Sequence, residues 1–384
     1  MNVKQAYKIA NDVFSEVLGR SVQLQEDLSD VVDIGKEINS ATNSSDLYDH
    51  YCKAAINRIG KDVFVDRVYK GRTPSIMKDA WEFGSILCKT DAEVGDFQPS
   101  EAWQLNDGQV YEQDMYISPK VSQKMWNTRE AYELRMSRAE EQIKESLTSA
   151  TMLIAFFGMI ETKIRNKNAK TAEEFGKRAI NNMIGETVHD NNGVRYVKLL
   201  TLYNAGPNSG GTPLTFPECL HDAGFLRYAA YYMKLYQTRL RDMSVLFNIG
   251  GKERFTPGEK LHTILWEQFK SAAEVYLYDA QGQFLTDDIK LPSAEVVSYW
   301  QSPGTSYAES ATSAIDIVTA SGDAVNVAGI LGVMFDDEAL GICNEKFTVR
   351  THRNESGEFI NFWYKTFFGL WNDTNENFVV FAAV

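Results

Sequence analysis

Two His-Asp dipeptides, His189-Asp190 and His221-Asp222, are the residue pairs in this chain that come nearest to catalytic chemistry. Such a pair can set an imidazole and a carboxylate on one cation, as in metal phosphohydrolases. The other histidines stand at 50, 262 and 352, with no helical pairing of ligands, so surface and capping roles are the better reading. Gly206-Pro207-Asn208-Ser209-Gly210-Gly211-Thr212 has the glycines of a phosphate loop but neither its lysine nor a preceding strand. Gly250-Gly251-Lys252-Glu253 has a lysine without the loop spacing and reads as a turn. Neighbouring carboxylates at Glu140-Glu141, Glu173-Glu174, Asp287-Asp288 and Asp336-Asp337-Glu338 could serve acid/base work. Adjacent side chains on a helix or strand diverge, however, which favours solvated faces. The basic run Lys163, Arg165, Lys167 and Lys170 is either a contact for nucleic acid or an acidic neighbour, or a solvated helix face. Serine nucleophile elbows and zinc-protease helices are absent from the sequence. These residues imply no catalysis, cofactor or metal.

Composition narrows the classes further. At 384 residues and 44% hydrophobic content the chain can bury at least one large core, and its length suggests two or three domains. A net charge of −13 argues against a dedicated nucleic-acid binder, which needs a basic face to neutralise phosphates. Cys52, Cys88, Cys219 and Cys343 lack paired metal-type spacing, so reduced structural thiols in a reducing cytoplasm are expected. The first residues lack a signal-peptide core, and Met152 to Ile160 is too short an apolar run to span a bilayer. A soluble, unexported chain is expected, which leaves the glycosylation triplets at Asn43, Asn354 and Asn372 as chance matches.

The elements that would position any site follow from periodicity. Asn2 to about Gly60 reads as short amphipathic helices with Tyr7, Phe14, Val17 and Leu18 apolar, an arm able to reach a neighbour. The polar stretch Glu37 to Ser45 reads as a flexible connection within it. Val63 to Tyr69 is rich in strand formers. Trp81 to Cys88 and Tyr111 to Trp126 form the legs of a long polar hairpin, with Asn106-Asp107-Gly108 supplying its turn chemistry. Trp103, Tyr111 and Tyr116 on that hairpin have too little apolar company to be buried within one subunit, so another chain is their expected partner.

No proline occurs between Pro119 and Pro207, and Ala150 to Ile184 reads as one long helix capped by Thr148 or Ser149. Leu153, Phe156, Phe157, Ile160 and Ile164 follow helical spacing, as do Phe175, Ala179 and Met183, while Lys163 to Lys170 is polar. That pattern predicts a spine of roughly 50 Å, packed at both ends and solvated or contacted by another subunit at its middle. Helices are then expected at Val194 to Tyr203, Phe225 to Met243 and Trp266 to Tyr276, and strands at Leu261 to Leu265, Glu295 to Trp300, Ile315 to Val318 and Val325 to Phe335. The chain closes on aromatic-rich strands from Phe347, ending in Asn377-Phe378-Val379-Val380-Phe381-Ala382-Ala383-Val384. Chain ends fray unless tied down, so Phe378 to Phe381 must be covered by neighbouring strands or another subunit. We expect it to complete a sheet beside the spine helix. The fold class is α+β.

This order of helical arm, polar hairpin, spine helix, α/β lobe and returning strands resembles the major capsid proteins of tailed bacteriophages, which share the Hong Kong 97 fold. Asn57-Arg58-Ile59-Gly60-Lys61-Asp62-Val63-Phe64-Val65-Asp66 is similar to the arm-to-loop junction of gut-phage capsid proteins. So is Phe247-Asn248-Ile249-Gly250-Gly251-Lys252-Glu253-Arg254-Phe255-Thr256-Pro257 to another of their segments. Ala328 through Asp336, Ala339-Leu340-Gly341, and Asn372 through Phe381 resemble the same family, so the likeness covers nearly the whole chain.

The resemblance implies an N-terminal arm over 1–61, an extended loop over 62–135, a peripheral domain over 136–185 and 342–384, and an axial domain over 186–341. It implies homo-pentamers and homo-hexamers, an icosahedral virion shell assembled in the host cytoplasm, and packaged double-stranded DNA held without sequence-specific binding. Portal and head-completion proteins would be further partners, and no membrane is involved. Trp103, Tyr111, Tyr116, Phe14, Arg165 and Lys167 are the candidate contacts between subunits. The arm is too short for a large built-in scaffolding domain, so a separate scaffolding protein is expected. No local pattern marks a covalently crosslinked Lys/Asn pair, and none is expected. An encapsulin-type cellular compartment is the rival within the fold; a soluble cytoplasmic hydrolase built on the 204–213 loop is the rival outside it.

Overall fold

The computed structural model describes residues 3–41, 43–66, 73–78, 87–93, 106–108, 120–127, 129–207, 212–276, 291–301 and 313–384. Its N-terminal helices are α1 (Val3–Leu18), α2 (Val31–Ser40) and α3 (Ser44–Asp66). On α1, Ala6, Ile9, Ala10, Val13 and Phe14 recur at helical spacing, and all are buried. The face they form packs on Tyr51 and Cys52 of α3 and on the first half of the spine helix. Here the expectation of a reaching arm is corrected: these helices are part of a core. The stretch Glu37 to Ser45, expected to be flexible, is mostly helical, because α2 continues to Ser40 and α3 starts at Ser44. Val63 to Asp66 likewise continue α3 instead of starting a strand.

A 3-10 turn (Pro74–Ile76) follows, then the strands β1 (Leu87–Glu93), β2 (Lys120–Trp126) and β3 (Arg129–Ala139). β1 and β2 pair antiparallel from Leu87↔Trp126 to Glu93↔Lys120, the base of the expected hairpin. Gly108, with φ of +79°, provides the backbone conformation that side chains disfavour at a turn. α4 (Glu140–Ser146) leads into the spine, α5 (Ala150–Asp190), a helix of 41 residues and so roughly 60 Å long at about 1.5 Å per residue. Its N-cap is Ser149, whose side chain accepts a hydrogen bond from the Met152 amide. It stops at Asn191, in the left-handed region that asparagine tolerates.

Next come β4 (Tyr196–Lys198), α6 (Leu199–Ala205), α7 (Phe216–Cys219), α8 (Ala223–Arg239), β5 (Leu261–Trp266), α9 (Glu267–Tyr276), β6 (Glu295–Val297), β7 (Ile315–Val318), β8 (Ala324–Val327) and β9 (Ile330–Asp336). The single strand expected over Val325 to Phe335 divides in two at Gly329, whose φ is +77°. The single helix expected from Val194 is replaced by β4 and α6. β10 (Leu340–Asn354), β11 (Phe359–Asn372) and β12 (Phe378–Ala382) end the chain.

Two cores hang on the spine. The first joins α1–α3 to Leu153, Phe156, Phe157, Ile160 and Ile164 of α5 and to Ile360, Phe362 and Tyr364 of β11. β11 lies between β10 and β3 in a three-stranded antiparallel sheet, and its alternate residues from Ile360 are buried. The second joins Ala172 to Ile184 of α5 to α8 and to the five-stranded sheet of order β4-β12-β9-β5-β6. Between the cores, α5 is polar: Arg165 pairs with Glu161 at 2.9 Å, and Asn168 donates to the Tyr364 hydroxyl.

β12 is an interior strand, antiparallel to β9 and parallel to β4, and every residue of it is buried. The final strand is thus covered by strands of its own chain, as the sequence requires. Its sheet is that of the 196–336 lobe and not the β10-β11-β3 sheet.

Candidate functional site

The expected candidate contacts do not come together. Phe14 is fully buried and stacks on Tyr51 with ring centroids 5.8 Å apart, so it faces its own core and no neighbour. Arg165 is half-exposed beside Glu161, and Lys167 is exposed. Trp103, Tyr111 and Tyr116 lie outside the described residues.

The residues with catalytic potential are spent separately. His189 faces Asp323 at 3.1 Å, while Asp190 holds Arg195 at 2.6 Å. His221 Nδ1 meets the Tyr276 hydroxyl, while Asp222 caps α8 by accepting from the Phe225 amide. Glu140 pairs with Arg353 and Glu173 with Lys177. Among the described residues no group of histidine, cysteine and carboxylate side chains could hold a metal ion. All the cysteines are free; burial raises the thiol pKa of Cys52 and pushes that of Cys219 up to about 12, away from reactivity, whereas Cys88 is exposed.

What the fold does assemble is an ionic seat for the β1–β2 hairpin. Cross-strand pairing puts Lys89 beside Lys124 and Asp91 beside Ser122 on one face. Uncompensated, two opposed lysines repel. Opposite them lie two turns, Asp336–Ala339 between β9 and β10 and Asp373–Asn377 between β11 and β12, tied together by the Asp373 amide donating to the Ala339 carbonyl at 2.7 Å. Lys124 Nζ reaches Asp373 Oδ1 at 2.9 Å and the Thr374 hydroxyl at 3.2 Å. Lys89 Nζ contacts Glu376, Asp373 at 3.3 Å and Glu338 at 3.2 Å. Arg254 closes the ring, donating to Asp91 at 2.8 Å and to Glu376 at 3.2 Å, and the Trp126 indole N–H donates to the Asn372 carbonyl at 3.0 Å. Beside the seat, Asp337 takes Lys78 and, at 2.8 Å, His262.

Charge states follow from this geometry. Burial alone would raise the Asp373 carboxyl, but hydrogen bonds from Lys124 and the Asn375 amide and the charges of Lys124 and Lys89 outweigh it and hold the group below its ordinary 3.8. Burial would likewise raise Asp337 and Glu338, and their lysine and histidine partners depress both. Lys89 shows the mirror case: burial would lower it, and Glu376, Asp373 and Glu338 raise it. Asp337, Glu338 and Asp373, held below their ordinary values, and Lys89, held above its own, are charged at neutral pH. No local pattern marks the seat, since Lys89 and Lys124 meet their carboxylates 287 and 249 residues away.

The other face of the hairpin is open. Side chains alternate along a strand, so Cys88, Thr90, Val121, Gln123 and Met125 point away from the seat. Val121 is 62% exposed and Met125 63%.

In structural comparison the chain is similar to a chain of the capsid of Staphylococcus phage Andhra, with 10% identity over 80% of this chain and 83% of that one, at a TM-score of 0.46. The bacteriophage PhiM1 mature capsid gives 8% identity over 82% and 86%, at 0.42. The capsid of cyanophage P-SCSP1u gives 9% over 80% and 86%, at 0.41. No curated protein matches in sequence. The sequence profile of the Phi29-like phage major capsid proteins matches residues 10–382, nearly the whole chain, and the chain therefore belongs to the Phi29-like phage major capsid protein family.

Proposed function

We propose that copies of this capsid protein associate as pentamers and hexamers into a closed icosahedral virion shell around double-stranded DNA, assembled in the host cytoplasm. The observation that carries this reading is the two-faced hairpin: one face is committed to its own lobe by ion pairs, while Val121 and Met125 on the other stand in water. A two-stranded ribbon with a partly apolar outer face gains stability by covering a second copy. In the Hong Kong 97-type scheme, residues 1–61 are the arm, 62–135 the extended loop, 136–185 with 342–384 the peripheral domain, and 186–341 the axial domain. Trp103, Tyr111 and Tyr116 on the loop, and Arg165 and Lys167 on the middle of α5, are the proposed contacts to neighbours. Phe14 leaves that set because it is buried in its own chain.

The net charge of −13 suits a container that releases its genome, because a wall that gripped DNA tightly would oppose ejection. A separate scaffolding protein sets the shell's curvature, and portal and head-completion proteins complete the head. The chain acts as a building block without catalysis: its His-Asp pairs serve as a cap, a hydroxyl contact, one exposed ion pair and one largely buried one. The test is negative-stain microscopy of the protein expressed with its neighbouring gene products, followed by nucleic-acid analysis of purified particles. Shells containing double-stranded DNA are expected. Featureless monomers under those conditions, or shells loaded with enzyme cargo instead of DNA, would refute the reading.

A further inference from the structure

Charge is spread unevenly over this chain. Residues 191–241 hold six lysines and arginines against two carboxylates, in a chain whose net charge is −13. Both carboxylates are spent as helix caps: Glu218 accepts from the Thr215 amide and hydroxyl at 2.9 and 2.7 Å, and Asp222 from the Phe225 amide at 2.6 Å. From Ala223 to Arg241 there is no acidic residue, while Arg227, Lys234, Arg239 and Arg241 all lie there. The other long helices mix the two signs. On the spine, Arg165, Lys170 and Lys177 each face a glutamate one turn away. Among the described residues no carboxylate pairs with Arg227, Arg239 or Arg241, and all three are exposed. The rotation of α8 is fixed by Phe225, Leu226, Ala229, Ala230, Met233 and Tyr236, which are buried. Arg227, Tyr231, Lys234 and Thr238 then recur at helical spacing on its outer side, and all four are exposed, Tyr231 at 60%.

We infer that this outer face of α8 lies against the phosphate backbone of the enclosed DNA, which makes that side of the 196–336 lobe the inner side of the shell. The inference rests on the DNA-filled shell proposed above. Arginine, lysine, tyrosine and threonine are all donors that proteins use on phosphate oxygens. The stripe from Arg227 to Thr238 runs roughly 16 Å along the helix at about 1.5 Å per residue. A duplex carries one negative charge per about 1.7 Å of its axis, so a stripe of that length meets phosphates whatever the base sequence. An acidic surface on a second copy is the rival occupant. Contacts between proteins are built on apolar anchors and are depleted in lysine, whereas this stripe carries no aliphatic side chain and sets its one ring, Tyr231, between two cations. A few phosphate contacts of this kind are weak and salt-dependent, so they ease DNA against an otherwise acidic wall without gripping it.

The experiment uses DNA-filled particles assembled by the full chain with its neighbouring gene products. Ultraviolet cross-linking, nuclease digestion and peptide mass spectrometry should find nucleotide adducts on Tyr231. An Arg227→Glu/Lys234→Glu variant should keep its thermal melting profile and its shell yield, since both side chains are exposed. Its Tyr231 adducts should fall about 10-fold, because two phosphate contacts become repulsions while the tyrosine stays. Adducts confined to other segments, or an unchanged yield at Tyr231 in the variant, would overturn the inference. So would a folded variant that no longer forms shells, since the face would then be a contact between subunits. Particles of the unaltered protein that lack DNA would strike the proposed enclosure of DNA itself, and this inference with it.

Discussion

Replacing Asp373 by Asn should loosen the hairpin without unfolding the lobe on which it sits. The carboxylate is 1% exposed, accepts from Lys124 at 2.9 Å and lies 3.3 Å from the Lys89 ammonium as an ion pair. Asparagine keeps its size and its acceptor for the Asn375 amide but removes the charge that both lysines face. Breaking a fully buried pair costs ~3–5 kcal/mol. Here the lysines are 36% and 28% exposed and can recruit water, so the loss falls to about 2 kcal/mol, the scale of one charged hydrogen bond. That energy raises the undocked population about 30-fold. A two-stranded hairpin is marginal by itself, so undocking also exposes its cross-strand amides. Hydrogen exchange should therefore quicken by about that factor in 87–93 and 120–126, and stay unchanged in 330–336 and 378–382. The same carboxyl sets a pH limit. Because its folded pKa lies below the ordinary 3.8, its stabilisation is complete above that value and is lost as pH falls through the lower folded value. Wild-type hairpin protection should hold at neutral pH and down to about pH 5, above the ordinary carboxylate pKa of about 4, and fall in stronger acid, with part of that fall missing in the variant. Unaltered hairpin exchange in Asp373→Asn, or faster exchange spread equally through the five-stranded sheet, would refute the seat.

Other expectations bear on the cores. Phe14→Ala should destabilise the unassembled subunit by ~3–5 kcal/mol in denaturant titration, because it empties space between α1, α3 and α5; a variant with unchanged monomer stability but defective assembly would return Phe14 to the contact surface. Deleting Phe378 to Val384 removes the strand between β4 and β9, and should give insoluble or protease-sensitive protein, not folded subunits that merely fail to assemble; circular dichroism and limited proteolysis decide. Gly341→Ala should cost ~1–3 kcal/mol by melting, since its added carbon would come within 2.3 Å of the Trp371 ring across β10 and β11.

The spine helix was readable because its signals are local: a serine cap, no proline, and apolar positions at helical spacing on either side of a polar middle. The structure adds that the two apolar stretches serve different cores. Val63 to Asp66 misled for an equally local reason, since its β-branched and aromatic residues prefer strands. Tertiary packing overrides that preference. Ile56 and Ile59 of α3 are buried against the first core, and Gly60 lets the helix approach Tyr364 and Phe347 so closely that an added carbon would lie 2.9 Å from the Tyr364 ring. The amphipathic arm failed as a reaching element on the same ground: its apolar face found a partner within the chain.

The last strand shows where sequence reasoning stops. Phe378 to Phe381 had to be covered, but the covering strand is chosen by pairing with Met334 and Val333 of β9, which no local pattern specifies. The hairpin seat carries that limit into the chemistry. Asp336, Asp337 and Glu338 were expected to diverge because neighbours on an extended backbone point apart, and they do: Asp336 accepts from the Glu338 amide, Asp337 takes Lys78 and His262, and Glu338 takes Lys89 and Lys260. Glu338 stays half in solvent and Asp337 partly so, while Asp336 is buried. Asp336 turns back into its own turn, whereas Asp337 and Glu338 end on cations from the hairpin and neighbouring segments, so a cluster that looks like an acid/base site in sequence helps to seat β1 and β2 on the lobe. Asp337 and Glu338 are held ionised by their partners, and no proton-transfer chemistry is needed to explain why they stand together.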